Sequence, residues 1–277
     1  MIQVLSDTIK DGRVISLIHR FFQAKIEEDG RYTKPTQGMP QGGPLSPICA
    51  NCLLNELDQE LERRGHKFVR YADDMCVLLK SRRAAERVCE SIKKFIEEKL
   101  FLKVNTEKTK ICHLTEGIKF LGYTFYKGKN KNKDAYEWKL AIYKKSEKKF
   151  RNAIRIILDR KCPKGLEECK TTLRRFVVGW ANYFCMGLSK SRREKLDEWI
   201  RRRIRQMYWK IWKKPRTRIR ALIKFGISEN KAYQWGNSSK GYWHISNSWI
   251  LRRSLTNKRL SEQGKWTWLE NACQWQA

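Results

Sequence analysis

The sequence predicts an α+β fold: helices on a small antiparallel sheet, then an all-α basic region and a Trp-rich tail. Three observations carry that prediction. Two short apolar runs, Lys67-Phe68-Val69-Arg70 and Met75-Cys76-Val77-Leu78-Leu79, flank Tyr71-Ala72-Asp73-Asp74 in the pattern of a β-hairpin. Helical periodicity with start and stop signals brackets the hairpin on both sides. From Ser146 onward the pattern turns helical and strongly cationic, with 27 Lys and Arg against 7 Asp and Glu between Ala141 and Phe225.

Taken in order, Met1 to Ala24 reads as helix, with Ile2, Leu5, Ile9, Leu17, Ile18, Phe21 and Phe22 near helical spacing and a break at Asp11-Gly12. Ile26 to Lys34 reads as a short extended excursion around Asp29-Gly30. Gln37-Gly38-Met39-Pro40-Gln41-Gly42-Gly43-Pro44 cannot be regular structure, because its glycines and prolines forbid it. Ser46 as N-cap and Pro47 in the first turn open a helix with Ala50, Leu53, Leu54, Leu57 and Leu61 on one stripe, which Gly65 ends. After the hairpin comes a helix from about Arg82 to Leu100. Ile111 to Leu114, Lys119 to Tyr126 and Tyr136 to Tyr143 read as strands, the last two separated by a polar loop. Lys190 to Lys213 is the clearest of the later helices, with an apolar face of Leu196, Trp199, Ile200, Ile204, Met207, Tyr208 and Ile211. The tail from about Gly226 holds six of the eleven Trp and a flexible break at Gly236 to Gly241.

The chain has 60 Lys and Arg against 29 Asp and Glu, a net charge of +31 over 277 residues. An excess of that size repels itself in a compact state and implies a polyanionic partner. A content of 41% hydrophobic residues sets the chain apart from purely structural basic proteins, because it can bury a core as well. No apolar run reaches the roughly 18 residues that a membrane span needs, and the N-terminus has no signal-peptide pattern, so the expected location is the cytoplasm. The nine Cys are scattered apart from Cys49-x-x-Cys52, whose helical spacing and lack of a second pair favour core packing over zinc, in keeping with a reducing compartment.

The hairpin carries the most chemistry. Neighbouring residues inside one strand point to opposite faces, so paired carboxylates can serve one cation only from a turn. There Asp73 is aimed at a hard divalent ion and Asp74 supports it, although Asp is also a common turn residue and a solvated loop is the plain alternative. In the Gly/Pro-rich loop, Gln41, Gly42, Gly43 and Pro44 let backbone approach a strand or nucleotide closely, with an ordinary connector as the alternative. On the Lys190–Lys213 helix, Arg192, Arg193, Arg201, Arg202, Arg205 and Lys210 fill much of the second face, and their single sign favours phosphate contacts over a merely solvated face. In the tail, aromatics interleave with Arg252, Arg253, Lys258 and Arg259, a composition suited to stacking on bases and equally to a small helical core.

Four blocks in this order and spacing resemble the later motifs of reverse transcriptases: Gln37 to Pro47, Tyr71-Ala72-Asp73-Asp74, Val104-Asn105-Thr106-Glu107-Lys108-Thr109, and Phe120-Leu121-Gly122-Tyr123. Phe176-Val-Val-Gly-Trp180-Ala-Asn182-Tyr183-Phe184 resembles the signature of the maturase-specific region. Together they are most similar to the reverse transcriptase/maturases encoded by bacterial group II introns, over nearly the whole chain.

The resemblance implies RNA-directed DNA synthesis by two-metal phosphoryl transfer with two Mg2+ ions, and RNA splicing as a maturase of a mobile element. It implies metal binding at Asp73 with Asp74 in support, and Tyr71 and Ala72 beside primer and nucleotide. It also places Lys108 near the incoming triphosphate, with a surface lysine as the alternative, and a primer grip at Phe120, Leu121, Gly122 and Tyr123. The implied partners are group II intron RNA, a DNA target or primer, and dNTP. The implied domains are a partial palm at 1–143, a thumb at 144–225 and a basic DNA-binding region at 226–277. The tail lacks the Cys and His clusters of an endonuclease. Family members also carry an earlier palm strand ending in a catalytic Asp, which no residue before Gln37 matches. The expectation is therefore a truncated chain, completed by an N-terminal fragment or acting as a non-catalytic RNA-binding splicing cofactor.

Overall fold

The computed structural model describes residues 1–28, 30–33, 38, 43–129, 136–159 and 165–273. They form mixed helical and antiparallel structure in two units, Met1–Glu116 and Gly117–Ala277.

In the first unit, α1 (Ile2–Thr8) and α2 (Gly12–Phe22) are split by Asp11, whose carboxylate accepts from the N–H groups of Arg13 and Val14 at 2.8 and 3.4 Å. That cap is the physical form of the Asp-Gly break. A short hairpin follows, β1 (Ile26–Glu28) with β2 (Arg31–Thr33), turning at Gly30 with φ +76°. Helix α3 spans Ser46–Arg63. Its cap position is Leu45, so Ser46 is its first helical residue and not the N-cap expected from sequence. Gly65, at φ +70°, ends it: His66 N–H reaches back to Leu61 O at 3.0 Å.

Strands β3 (Lys67–Tyr71) and β4 (Asp74–Leu78) then pair antiparallel with Tyr71 opposite Asp74. Ser81 caps α4 (Arg82–Lys94), which ends in a π-helical turn over Phe95–Lys99. Leu57, Leu61, Ile92 and Leu100 form this unit's buried core, with Phe68, Met75 and Val77 of the hairpin against it. The strand expected at Ile111 to Leu114 does not form: this stretch is irregular and runs into a 3-10 turn over Leu114–Glu116. Strand propensity alone does not make a strand when no partner strand takes up the backbone groups.

The second unit opens with a three-stranded meander, β5 (Ile118–Phe120), β6 (Tyr123–Lys129) and β7 (Tyr136–Ile142), in that order. The sequence predicts one strand from Lys119 to Tyr126. The structure breaks it with a two-residue turn at Leu121-Gly122, both left-handed at φ +49° and +79°, and pairs Phe120 with Tyr123. Paired positive φ values match the twist of a tight hairpin, and Gly is what admits them. The sheet lies in the unit with the helices that follow.

Those helices are α5 (Lys144–Ile157), α6 (Leu166–Phe184), α7 (Lys190–Ile211), α8 (Pro215–Lys224), α9 (Glu229–Gly236), α10 (Tyr242–Ile245), α11 (Trp249–Ser254) and α12 (Leu269–Cys273). One core unites them. It includes Phe150 and Ile154 of α5, Leu173 and Val177 of α6, and Leu196, Ile200, Ile204 and Met207 of α7, all at most 1% exposed. The tail is part of this core, with Trp266 and Trp268 at 1% and 4% exposure. Cys185 and Cys273 are joined by a disulfide, a pairing that the sequence reading did not anticipate. The partners lie 88 residues apart, a distance at which sequence cannot pair them.

Asp197 of α7 is 1% exposed and accepts from the N–H groups of Leu269 and Glu270 at 2.8 and 2.9 Å, which caps α12. Burial pushes its carboxyl up to about 6, against the opposing pull of those two N–H groups and of Arg201. Between the ordinary carboxylate range and about pH 6 the folded chain therefore keeps a proton that the unfolded chain releases. Stability contributed here falls as pH rises through that window. The stability of the protein relative to Asp197→Asn should drop by up to about 3 kcal/mol between about pH 4 and pH 7, followed by thermal or urea unfolding. A pH-independent difference would show that the carboxylate ionises as freely in the folded chain.

Candidate active site

The turn is Ala72-Asp73, braced by a guanidinium; Asp74, expected in the turn with Asp73, is the first residue of β4, opposite Tyr71. Arg70 of β3 forms a bidentate pair with Asp58 of α3 (Nε–Oδ1 2.8 Å, Nη2–Oδ2 2.5 Å) and donates to Asn51 Oδ1 at 3.0 Å. The same side chain donates to the backbone carbonyl of Ala72 at 2.9 Å. Helix α3 presents Asn51 and Asp58 two turns apart, and Arg70 transmits their position to the turn. Hydrogen bonding to Asp58 also holds the Arg70 guanidinium above its usual range, which keeps the cation permanent. Ala72 is left-handed at φ +52°, a conformation that a non-glycine residue adopts only where its surroundings enforce it. The outcome is a rigid tip with Tyr71, Ala72, Asp73 and Asp74 all exposed. Sequence reasoning missed Arg70, Asp58 and Asn51; the available signal is an arginine directly before the turn and acids on the helix before it.

Two exposed carboxylates at one hairpin tip are hard oxygen donors of the kind Mg2+ prefers. Among the described residues, no three His, Cys, Asp or Glu side chains gather in a way that could hold a metal.

The other predicted residues of this unit lie on separate segments. Gly43 accepts from the N–H of Ser46 at 3.1 Å and leads with Pro44 into α3, while Gln41 and Gly42 lie outside the described residues. Lys108 is exposed on a turn in which the Asn105 side chain accepts its backbone N–H at 3.1 Å.

Phe120, Leu121, Gly122 and Tyr123 belong to the second unit, where α6 braces them. Tyr183 Oη donates to Leu121 O at 3.0 Å, and Tyr123 Oη donates back to the Tyr183 carbonyl. Gly122 O accepts from Tyr143 N–H and Ser146 Oγ at 3.0 and 3.1 Å. A β-carbon on Gly122 would stand 3.1–3.2 Å from Ser146 and the Phe184 ring, so the glycine is set by space as well as by φ. Burial raises the Tyr123 phenol above its ordinary range, and the neighbouring Tyr183 adds to this.

On α7 the structure corrects the expectation for one cation, Arg205. Arg205 is 6% exposed and donates to Leu255 O at 3.0 Å and Asn257 Oδ1 at 3.1 Å; burial lowers it to about 10. Arg202 lies 3.7 Å over the Trp243 ring and donates to Trp243 O, and Arg201 lies 5.2 Å over Trp268. Arg192 pairs with Glu147 at 2.6 Å, Lys210 sits 4.8 Å over Tyr242, and Arg193 is half-buried. The C-terminal segments fold back over α7 and bury Arg205, while Arg192, Arg193, Arg201, Arg202 and Lys210 stay half-buried and Lys190 and Lys195 exposed. Exposed cations also fall on α8 and the turn before it, at Lys213, Lys214, Arg216, Arg220 and Lys224.

Residues 4–125 match the family model of the reverse transcriptase (RNA-dependent DNA polymerase), and residues 147–226 match that of the group II intron, maturase-specific domain. The chain belongs to the group II intron-encoded reverse transcriptase/maturases. This reverse transcriptase/maturase is 30% identical over 149 residues to Protein YkfC of Escherichia coli K12, covering 42% of the chain and 39% of that protein. It is 28% identical over 187 residues to the group II intron-encoded protein LtrA of Lactococcus lactis subsp. cremoris, covering 44% of the chain and 31% of LtrA. It is 26% identical over 181 residues to the putative COX1/OXI3 intron 2 protein of Saccharomyces cerevisiae, covering 44% and 21%. The matched part thus spans well under half the length of these relatives. The hairpin with Asp73 falls inside the reverse transcriptase match, and α6 and α7 fall inside the maturase match. No described helix is long and apolar enough to cross a membrane.

Proposed function

We propose that this reverse transcriptase/maturase takes part in RNA-templated DNA synthesis from the Asp73 hairpin and assists intron RNA splicing through its helical unit. The observation that carries the reading is the rigid, exposed Asp73-Asp74 tip, tied to α3 through Arg70, inside the segment matching reverse transcriptases. Asp73 and Asp74 are the residues that would hold Mg2+. When bound, two such ions would clamp the attacking and leaving oxygens of the phosphoryl displacement. The chain's own work is to hold the two carboxylates at a fixed tip and to keep the primer against the turn at Leu121-Gly122. Lys108 is assigned to the charge of the incoming triphosphate. In this reading residues 1–143 form a partial palm and 144–225 a thumb, with 226–277 as a DNA-binding region.

Carboxylates from a single hairpin cannot surround two cations ~3.5–4 Å apart. The remaining side of the site is assigned to another polypeptide segment that seats against the first unit. That unit offers exposed apolar side chains for it, Val69 and Leu78 on the hairpin and Leu17 and Phe21 on α2. The test is primer extension on an RNA template, with and without an added fragment carrying the further palm strand. Extension that appears only with the fragment supports the reading. Robust extension by the chain alone would place another carboxylate within it, and no extension in either case would remove the catalytic role.

A further inference from the structure

The Cys185–Cys273 bridge closes a ring that contains α7 through α12. Cys185 lies inside the maturase match and Cys273 outside both matches. Contacts other than the bridge already hold its two ends. Leu269 and Ala272 of α12 are 0% and 1% exposed in the core of the unit, and Asp197 caps the helix from α7. These contacts present Cys273 to Cys185 with Cα atoms 6.5 Å apart. A bridge fits that separation, and so do two reduced thiols after a side-chain rotation. At the other end, Cys185 follows Phe184 of α6 and opens the 3-10 turn Cys185–Gly187. A β-carbon on Gly187 would stand 2.8 Å from the Tyr123 ring, so this turn sits tight against β6. The bridge thus fastens α12 to the joint between α6 and the sheet.

The chemistry around this bridge is that of a bond which opens and closes. Cys49, Cys52, Cys76, Cys89 and Cys112 are free thiols, and Cys112 is exposed. A permanent bridge in a chain with an exposed free thiol is open to exchange that would scramble it. Where thiols stay free, the disulfides that do form are commonly transient and redox-responsive. Neither bridged cysteine is fully buried, and Met186 beside Cys185 is 87% exposed, so the pair lies where a small thiol can approach. Opening it costs no core packing. We propose that Cys185 and Cys273 form a reversible thiol–disulfide site, set by a small-molecule couple such as glutathione and its disulfide, that fastens the tail when oxidised. Closure consumes two protein thiols and one glutathione disulfide. One cysteine thiolate attacks the glutathione disulfide and expels a glutathione thiolate. The second cysteine thiolate attacks the sulfur of the first and expels the other. The two protons lost by the cysteines pass to the expelled thiolates, giving two molecules of glutathione. Reduction runs the same exchange backwards. In the open state α12 keeps its cap and core contacts but loses its covalent tie, so its local opening becomes easier. This inference concerns the second unit alone and does not depend on the Asp73 reading.

The test equilibrates the whole folded chain over a series of glutathione to glutathione disulfide ratios, followed by alkylation and peptide mass mapping. Cys185 and Cys273 should pass together from thiols to bridge across the series, and Cys112→Ser should leave that titration unchanged. Full bridging that persists in the most reducing buffer would make the bond permanent and overturn the proposal. So would two thiols that never bridge, or that end as separate mixed disulfides with glutathione. Hydrogen exchange then compares the oxidised and reduced forms of the unaltered chain, which avoids reliance on a variant that fails to fold. The amides of α12 should exchange about tenfold faster or more after reduction, with those of α3 unchanged. The melting temperature should fall by about 5–15 °C on reduction, the scale for opening a ring of this length. Cys273→Ser should match the reduced chain in every buffer. Equal exchange of α12 in the two forms would show that the bridge fastens nothing and would overturn the switch.

Discussion

Asp73→Asn is expected to abolish whatever templated nucleotide addition the protein supports, with or without the added fragment, while RNA affinity stays nearly unchanged. Asp73 is exposed at the tip, and Asn is as acceptable in such a turn as Asp, so the hairpin survives the change. What disappears is the formal negative charge that a hard divalent cation requires of its ligand. The rate should fall by at least about 10²–10³-fold, the scale for removing one group that stabilises charge developing in a transition state. Single-turnover extension measures this, and salt-dependent RNA binding serves as the control. A variant that kept most of its rate, while Asp74→Asn did not, would exchange the roles of the two carboxylates.

Arg205→Gln has the largest expected effect on stability, and the sequence alone suggests a different outcome. An arginine on a cationic helix reads as a phosphate ligand, whose removal would leave the fold intact and flatten the salt dependence of RNA binding. In the structure its guanidinium is buried and satisfies Leu255 O and Asn257 Oδ1 from below the tail. Gln is too short to reach both acceptors. Asn257 is exposed and can turn to water, but leaving the Leu255 carbonyl buried and unpaired should cost about 1–3 kcal/mol and lower the melting temperature of the helical unit by roughly 3–10 °C. The salt slope should not change. Replacing Lys213, Lys214 and Arg216 with Gln should do the reverse, at an unchanged melting temperature. The slope should then fall by about 0.7–0.9 for each phosphate that is no longer neutralised. A flattened slope without thermal destabilisation for Arg205→Gln would return that residue to the RNA surface.

The α+β class, the hairpin around Asp73, helix α3 with its glycine stop, and the helical run after β7 are all legible in the sequence. Each rests on local chemistry: alternation beside a turn, a cap, a glycine, or a 3.6-residue period. Misreadings arise where a local signal has two outcomes. Lys119 to Tyr126 alternates well enough for one strand, yet Leu121-Gly122 turns it into two, because α6 supplies Tyr183 to hold the turn. Ile111 to Leu114 has strand propensity without a partner strand, and stays irregular.

By itself, then, the sequence determined the class of fold, a hairpin carrying paired carboxylates, the large cationic excess and the family. These follow from residue type and short spacing. Only the tertiary structure decided which cations face outward, which tryptophans are core and what orients the carboxylate turn. Arg70 reaching across to Asp58, Asp197 capping a helix 72 residues away, and the tail folding over α7 all join distant segments. Their energies depend on burial and on partner geometry. No periodicity along the chain encodes which carbonyl a buried guanidinium will meet.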